Sequence, residues 1–326
     1  MKGRAIVAVV AVVLLLGAAV AVQRWLFSVD GPVDVGARTA SAATGTSGAA
    51  GPAADGDAPA PAAPAVVEVA GLVERKAKGG DWAPLKPGDV LAEEDEIRTA
   101  PGARAVLKID EGRVEVFERD TLAVSDITAA AAELLLRKGR IAADVPGGAG
   151  GAPGSGRALR IRAEGSDAVV ETKGGKFAVY ADGAGTVAVA ADTGGVTLSA
   201  GGKTVELDPA TIARVSPGGA PVIGPVAEKV VLEVRWPGER STAKKETIVA
   251  GKTEPGNRVI VGDEEVAVAA DGSFKATVPL AEGTNRVKVE VEDVSGKKGT
   301  ATSPKIVVDT ISPSAKAHPE DLWKKH

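Results

Sequence analysis

The stretch that decides the fold is GLVERKAKGGDWAPLKPGDVLAEEDEIRTAPGARAVLKIDEGRVEVFERDTL, residues Gly71–Leu122 of a 326-residue chain. Apolar and charged residues alternate over 104–109, which is the period-2 pattern of a half-buried strand. Asp110-Glu111-Gly112 then turns the chain, and the alternation resumes over 113–116. The pattern predicts a β-hairpin, and the stretch as a whole predicts short strands separated by tight turns.

The composition of the whole chain agrees with a strand-rich fold. Hydrophobic residues make up 44% of the chain, aromatic residues only 3%, and Gly and Pro number 41 and 20. Such a composition suits many short strands and turns better than a large helical core. The net charge of −4 is mild, so the chain has no basic footprint for nucleic acid.

The chain lacks the residues of common catalytic and metal sites. It has no cysteine, which excludes disulfides, a cysteine nucleophile and thiolate zinc sites. Its two histidines, His318 and His326, lie near the C-terminus, where a Ser-His-Asp arrangement is not expected. Acidic runs at 93–96 and 263–265 lack the ligand spacing of a calcium loop. We therefore predict a protein that is not an enzyme and that uses no metal or cofactor.

Residues 1–27 are predicted to be a membrane segment. Ala5–Val22 contains 18 residues without a charge, about 27 Å as a helix, against roughly 30 Å for the hydrocarbon core of a bilayer. Basic residues precede it, and Trp25 and Phe27 follow it at the predicted membrane interface. The pattern favours a single-pass bacterial inner-membrane anchor with the bulk of the chain in the periplasm. The alternative is a cleaved signal peptide, for which Ala19-Val20-Ala21 supplies a small-x-small site, and a secreted or periplasmic product.

The rest of the chain divides into four predicted segments. Residues 28–65 form an Ala/Gly/Pro-rich linker, because a stretch with almost no large apolar side chain cannot offset its ordering entropy. Residues 66–215 carry strand and turn signals typical of an all-β domain. Residues 227–310 contain seven candidate strands, a number that fits an immunoglobulin-like sandwich, and residues 311–326 form a tail.

The stretch Asp126–Gly139, DITAAAAELLLRKG, has two interpretations. A capping residue, four consecutive alanines and a terminal Gly favour a helix by local propensity. The family pattern given below has a strand at this place. We predict a strand over Glu133–Lys138.

Few aromatic rings are available for recognition. Phe177 and Phe274 lie at alternating strand positions and are predicted to be core residues. Trp82 and Tyr180 are better candidates for exposure, and together with Arg98 they are the predicted partner-binding residues. The sequence does not identify the partner, which could be an envelope protein, peptidoglycan or a polysaccharide, nor the oligomeric state.

Two parts of the chain resemble known families. The first half of 66–215 resembles the FecR domain of bacterial envelope proteins, and Thr172–Val179 is similar to its second half, although the usual Arg-Gly-Thr step before the Phe is missing. Residues 227–310 are similar to bacterial Ig-like modules. The first resemblance is carried by Gly71, Trp82, Leu85, Gly88, Asp89, Ile97-Arg98-Thr99, Gly102, Arg104-Ala105, Leu107, Asp110 and Gly112.

The FecR resemblance implies a role at the membrane. The best-known FecR-type proteins relay a signal from an outer-membrane receptor to a cytoplasmic sigma factor, through a cytoplasmic N-terminal domain. Only four residues precede Ala5–Val22 here, so we expect the sensory half of that role and not the output half. The prediction is a membrane-tethered binding or sensing protein. The alternative is a FecR-type transmembrane signal transducer that regulates a sigma factor through another subunit.

Overall fold

The computed structural model describes residues 62–147, 156–238 and 240–310, all within one compact unit that spans Ala58–His326. Every regular element among these residues is a β-strand, which confirms the predicted all-β class. The predicted membrane segment with Trp25 and Phe27, nearly all of the linker and the tail lie outside the described residues. Within the described ranges no helix has the length and hydropathy to cross a membrane.

Sixteen strands form the first region. They are β1 (Ala65–Ala70), β2 (Val73–Lys76), β3 (Trp82–Pro84), β4 (Glu96–Thr99), β5 (Arg104–Ile109), β6 (Gly112–Val116), β7 (Thr121–Ile127), β8 (Ala131–Val145), β9 (Ala158–Ala163), β10 (Val169–Thr172), β11 (Gly175–Ala181), β12 (Val187–Ala191), β13 (Val196–Ala200), β14 (Lys203–Leu207), β15 (Thr211–Val215) and β16 (Val222–Pro225). The last of these pairs with β15, so the region extends beyond its predicted end at Val215.

The sixteen strands form two sheets that share β8. Sheet I has the order β1-β5-β6-β8-β11-β12-β15-β16, and sheet II has the order β3-β2-β4-β7-β8-β9-β10-β13-β14. The first half of β8 pairs with β7 and with β9, the latter in parallel, whereas its second half pairs with β6 and β11. One apolar core contains buried residues from both sheets, among them Leu107 of sheet I and Leu198 of sheet II.

Strand β8 resolves the ambiguity at 126–139 in favour of a strand. Leu134 and Leu136 are fully buried, whereas Leu135 and Arg137 are half-buried on the other face. This period-2 burial requires an extended backbone, and the packing it provides outweighs the helix propensity of the alanines. The predicted strand is therefore confirmed, and it extends from Glu133–Lys138 mainly in the C-terminal direction, as far as Val145.

Gly139 lies where β8 leaves sheet II and enters sheet I. Its φ of 110° favours glycine, and a Cβ there would lie 1.9 Å from Oδ1 of Asp120. The carboxylate of Asp120 accepts hydrogen bonds from the N–H groups of Phe117 and Arg140, at 2.8 and 2.9 Å. One Gly and one Asp thus fix the crossing point of the shared strand.

The predicted turns of the deciding stretch are present. The hairpin pairs β5 with β6, and Asp110 at its turn has a φ of 53°. In the turn at 85–89, Gly88 has a φ of 93° and Asp89 accepts a hydrogen bond from the Lys86 N–H at 2.8 Å. These residues determine the backbone conformation, as the sequence pattern predicts.

Ten strands form the second region. They are β17 (Glu233–Arg235), β18 (Ser241–Thr242), β19 (Glu246–Lys252), β20 (Arg258–Val261), β21 (Glu264–Val266), β22 (Ser273–Pro279), β23 (Gly283–Asn285), β24 (Lys288–Glu292), β25 (Lys298–Thr302) and β26 (Ile306–Val308). Their sheets have the orders β17-β19-β22, β18-β26-β23 and β21-β20-β24-β25, around a separate apolar core that includes Val249, Val259 and Val289. The structure thus has ten strands where the sequence pattern predicts seven, because several of them are only two or three residues long.

Candidate functional site

The second region packs on the outer face of sheet I. Tyr180, Ala188 and Ile212 of that face form an apolar cluster with Val294, which follows β24 in the second region. The turn at Gly256 approaches closely enough that a Cβ there would lie 2.8 Å from the Cβ of Ala188. Small side chains on sheet I therefore allow direct contact between the two regions.

Arg258 is the most deeply buried cation at this interface. Its side chain, at the start of β20, is only 2% exposed. Its Nη2 donates to the carbonyl oxygen of Glu118 at 2.7 Å and lies 3.7 Å from Oδ1 of Asp120. Its Nε donates to Glu265 of the second region at 2.9 Å. Because a buried charge needs partners, this guanidinium links the turn after β6 to the second region.

Asp120 is buried beside this guanidinium. Burial raises the pKa of Asp120 to about 8, against the opposing effects of Arg258 and of the two backbone N–H donors. Glu265, which accepts a hydrogen bond from Arg258 Nε, is therefore the main counter-charge of Arg258.

A second arginine crosses the interface in the opposite direction. Arg140 of β8 forms an ion pair with Glu292 of β24, with an N–O distance of 3.2 Å. Its guanidinium carbon lies 3.7 Å from the centre of the Phe117 ring, a cation–π contact. Arg140 and Glu292 are both largely buried, so this pair also links the two regions.

Two further contacts extend the interface toward its edges. Arg214 of β15 donates to the carbonyl oxygen of Pro255 at 3.0 Å and pairs with Glu254 at 2.6 Å. Lys138 of β8 pairs with Glu265 at 3.2 Å. Since these side chains are more exposed than Arg258, each is expected to add less to stability.

A groove of about 770 Å³ lies beside this interface and is lined by residues of both regions. Its floor consists of Ala142, Ala178 and Ala190, which are aligned across the adjacent strands β8, β11 and β12 of sheet I. Ser295 and Lys297 of the second region line one part of it. The volume lies within the range of small-ligand sites, which often occur between domains.

The structure brings together two of the three predicted partner-binding residues. The guanidinium carbon of Arg98 lies 4.2 Å from the centre of the Trp82 ring, and the Lys76 ammonium lies 5.9 Å from it. Arg98 also pairs with Glu74 at 2.7 Å. Trp82 is half-buried, and Arg98 is exposed on the same face of sheet II. Together, Lys76, Trp82 and Arg98 form a cation–aromatic patch.

Tyr180 is not on the surface. The prediction that it is a candidate for exposure is wrong, because the second region covers its part of sheet I and leaves it 5% exposed. Burial raises the pKa of the Tyr180 phenol well above its usual range. Tyr180 lies in the interface, far along the sheet network from the patch on β2–β4.

Sequence reasoning missed the residues that build the interface. Arg258 is not among the residues singled out from the sequence, although a charged residue directly before the apolar run Val259–Val261 is an available signal of a buried pair. No sequence pattern pairs it with Glu118, which is 140 residues away. Among the described residues no group of three or more His, Cys, Asp or Glu side chains could hold a metal ion.

Comparisons with known proteins give distant structural likenesses. The chain matches no protein-family model and no curated protein sequence. Two crystal structures of a protein from Parabacteroides distasonis, proposed to be an anti-sigma factor, are 18% and 19% identical to it, with a TM-score of 0.34. Each match covers 40% of this chain and 59% of that protein, so the chain spans less than two thirds of its length. A polysaccharide lyase matches with 11% identity and a TM-score of 0.19, over 76% of this chain and 40% of the lyase.

Proposed function

We propose that this chain is a non-enzymatic recognition protein of the bacterial cell envelope, held at the inner membrane by its N-terminal segment. The observation that carries the proposal is the groove beside the interface, which both β-regions line. A groove of this kind depends on the two regions being fixed together, as the Arg258 and Arg140 contacts fix them. The chain would then act as a tethered binding body whose local concentration near the membrane is high.

The second region is proposed to be an Ig-like module. Its strands pair as β17-β19-β22 and as β21-β20-β24-β25, with a shared apolar core. Lettered in chain order, these sheets would be A-B-E and C′-C-F-G of an immunoglobulin-like sandwich, with β18-β26-β23 as an additional small sheet. Such a module supports binding because its loops pack against the first region and form one side of the groove. This role needs no catalytic residue.

Site-specific photo-cross-linking in the bacterium that encodes the chain tests the proposal. A photoreactive residue at position 82, in the cation–aromatic patch, or at position 113, in the groove, is expected to capture an envelope component that mass spectrometry identifies. The control is position 203, which is exposed on the edge strand of sheet II. Equal capture from all three positions would contradict the proposal, and so would a topology reporter after Thr310 that reads as cytoplasmic.

The second candidate function is FecR-type signal transduction through another subunit. It is favoured by the positions of the residues that carry the FecR resemblance: Leu85 and Leu107 are buried in the core, and Gly71 and Gly102 have φ values of 76° and 71°. These residues thus occupy the core and turn positions that the FecR resemblance implies. Cross-linking to a sigma factor or its regulator, with altered expression of that sigma factor's genes on deletion of the chain, would establish this role in place of the first.

A further inference from the structure

One wall of the groove carries a row of side chains of alternating charge. Arg113 of β6 faces Asp144 of β8, and Asp144 faces Lys176 of β11. Asp192, directly after β12, donates its N–H to the Lys176 carbonyl oxygen at 2.8 Å and so continues the row. All four line the groove. Adjacent strands lie about 4.8 Å apart, so the row extends roughly 14 Å from Arg113 to Asp192.

The two ends of the row differ from its middle. Lys176 and Asp144 neutralise each other, with an N–O distance of 2.9 Å. Arg113 and Asp192 are exposed, and neither side chain forms an ion pair or hydrogen bond with any other described residue. The row therefore ends in a positive side chain at Arg113 and a negative side chain at Asp192, and neither has an ion pair of its own within the described part of the chain, although the Asp192 carboxylate helps to raise the pKa of Lys176. Lys297, the other lining cation without a carboxylate partner among these residues, donates to the Ala227 carbonyl oxygen.

The floor between the row and the second region is apolar. Ala142, Ala178 and Ala190 contribute only methyl groups, so the floor offers apolar contact to small side groups and no polar partner from its own side chains. A ligand that fits must be narrow, extended and small in its side groups, with a negative group near Arg113 and a positive group near Asp192.

We propose that the groove binds a short extended peptide of small residues, with its free carboxylate at Arg113 and its free ammonium at Asp192. At about 3.3 Å per extended residue, four residues span the roughly 14 Å between the two charges. The proposal rests on the proposed recognition function and specifies the ligand class of the same groove. Charge complementarity at both ends also fixes the direction of the peptide.

Calorimetric titration of the full chain in detergent with tetra-alanine tests the ligand class. Tetra-alanine with free termini is expected to bind, and capping either terminus, by N-acetylation or C-amidation, is expected to weaken binding about three- to tenfold, as the loss of one partly exposed charge pair implies. Equal affinity for the capped and uncapped peptides, or no binding of the uncapped peptide at millimolar concentration, would overturn the proposal. Tighter binding of a neutral oligosaccharide would overturn it as well.

Matched variants test the position of the ligand. Arg113→Gln is expected to reduce affinity only for peptides with a free carboxylate, and Asp192→Asn only for peptides with a free ammonium. Lys203→Gln and Asp208→Asn are the controls, because both residues are exposed charges outside the groove. Ala142→Leu, which fills the floor from a half-buried outward position, is expected to abolish binding. Controls that lose affinity as much as the groove variants do would place the peptide elsewhere and overturn the proposal.

The two proposals can fail separately. Envelope capture from position 82 or 113 without peptide binding leaves the recognition function standing and removes this ligand. Peptide binding that follows the groove variants, without envelope capture, supports this ligand class and removes the envelope partner.

Discussion

Arg258 donates a hydrogen bond from Nη2 to the carbonyl oxygen of Glu118, 140 residues earlier in the chain, at 2.7 Å. The two residues belong to different β-regions, and the guanidinium that joins them is almost completely buried. Arg258 is in register with Glu292 across β20 and β24, and Glu292 forms the ion pair with Arg140. The first region and the second region are thereby coupled through largely buried polar groups.

Replacement of Arg258 is expected to uncouple the two regions. Arg258→Met leaves Glu265 with only the more exposed Lys138 as an ion-pair partner and removes the donor to the Glu118 carbonyl oxygen. Breaking a buried pair from one side typically costs about 3–5 kcal/mol. Urea denaturation followed by tryptophan fluorescence measures the change in the free energy of unfolding. Arg160→Met is the control, because Arg160 forms an exposed pair with Glu171 and its loss should cost at most about 1 kcal/mol. Equal effects of the two substitutions would show that the interface contributes no special stability.

Gly139 is expected to tolerate no side chain. In Gly139→Ala the new Cβ would lie 1.9 Å from Asp120 Oδ1 and 2.8 Å from Asp120 Cα, at a φ of 110°. Clash and backbone strain together predict a loss of at least about 2–3 kcal/mol, or failure to fold. Gly194→Ala is the matched control, since a Cβ at Gly194 meets no atom within 4 Å, and it should change stability by less than about 0.5 kcal/mol. Thermal and urea unfolding of both variants provide the measurement.

Asp120 is expected to make stability depend on pH. Its pKa is about 8 in the folded protein, and an unperturbed Asp has a pKa near 4. Between these values the folded state binds more protons than the unfolded state, so a rise in pH lowers the free energy of unfolding. For one group the slope is at most about 1.4 kcal/mol per pH unit. Asp120→Asn removes this contribution while every other titrating group stays in place.

The measurement is the difference in the free energy of unfolding between wild type and Asp120→Asn, from about pH 5 to about pH 8. Wild type is expected to lose stability relative to the variant as the pH rises. Parallel curves would mean that Asp120 ionises at its ordinary pKa despite burial.

Tyr180 provides a spectroscopic probe of the interface. It is the single tyrosine of the chain, and burial raises its pKa well above the usual range near 10. Phenolate absorbance is therefore expected to appear only when the protein unfolds in alkali. Loss of the Arg258 charge by itself raises the pKa of Tyr180 further, so ionisation of Tyr180 near pH 10 in folded Arg258→Met protein would show that the second region has moved away from sheet I. Ionisation near pH 10 in the wild type would contradict the burial of this ring.

Sequence reasoning performs best where the signal is local. The Asp110–Gly112 turn is predicted because its residues act on the adjacent backbone, and the structure has it as predicted. The sequence pattern correctly favours a strand over a helix at β8, but it underestimates the length of that strand. The second half of β8 is fixed by pairing with β6 and β11, which no local pattern shows.

The candidate site was less accessible from the sequence. The role of Trp82 and Arg98 in partner binding stays a prediction, and the structure adds that the pairing of β2 with both β3 and β4 brings them into cation–π contact. Tyr180 was misjudged because alternation shows which face of a strand a residue occupies and not what covers that face. The groove requires the register of six strands and the docking of a second region, and neither is encoded in any short pattern.

The shared strand β8 has a consequence for how the molecule opens. Because its two halves are central strands of different sheets, neither sheet can detach while the other remains intact. Partial opening should therefore begin at the outer strands, such as β3, β14 and β16, and reach β8 last. Amide hydrogens of β8 are expected to exchange with solvent most slowly, at a rate set by global unfolding, so this one strand reports the lifetime of the whole first region.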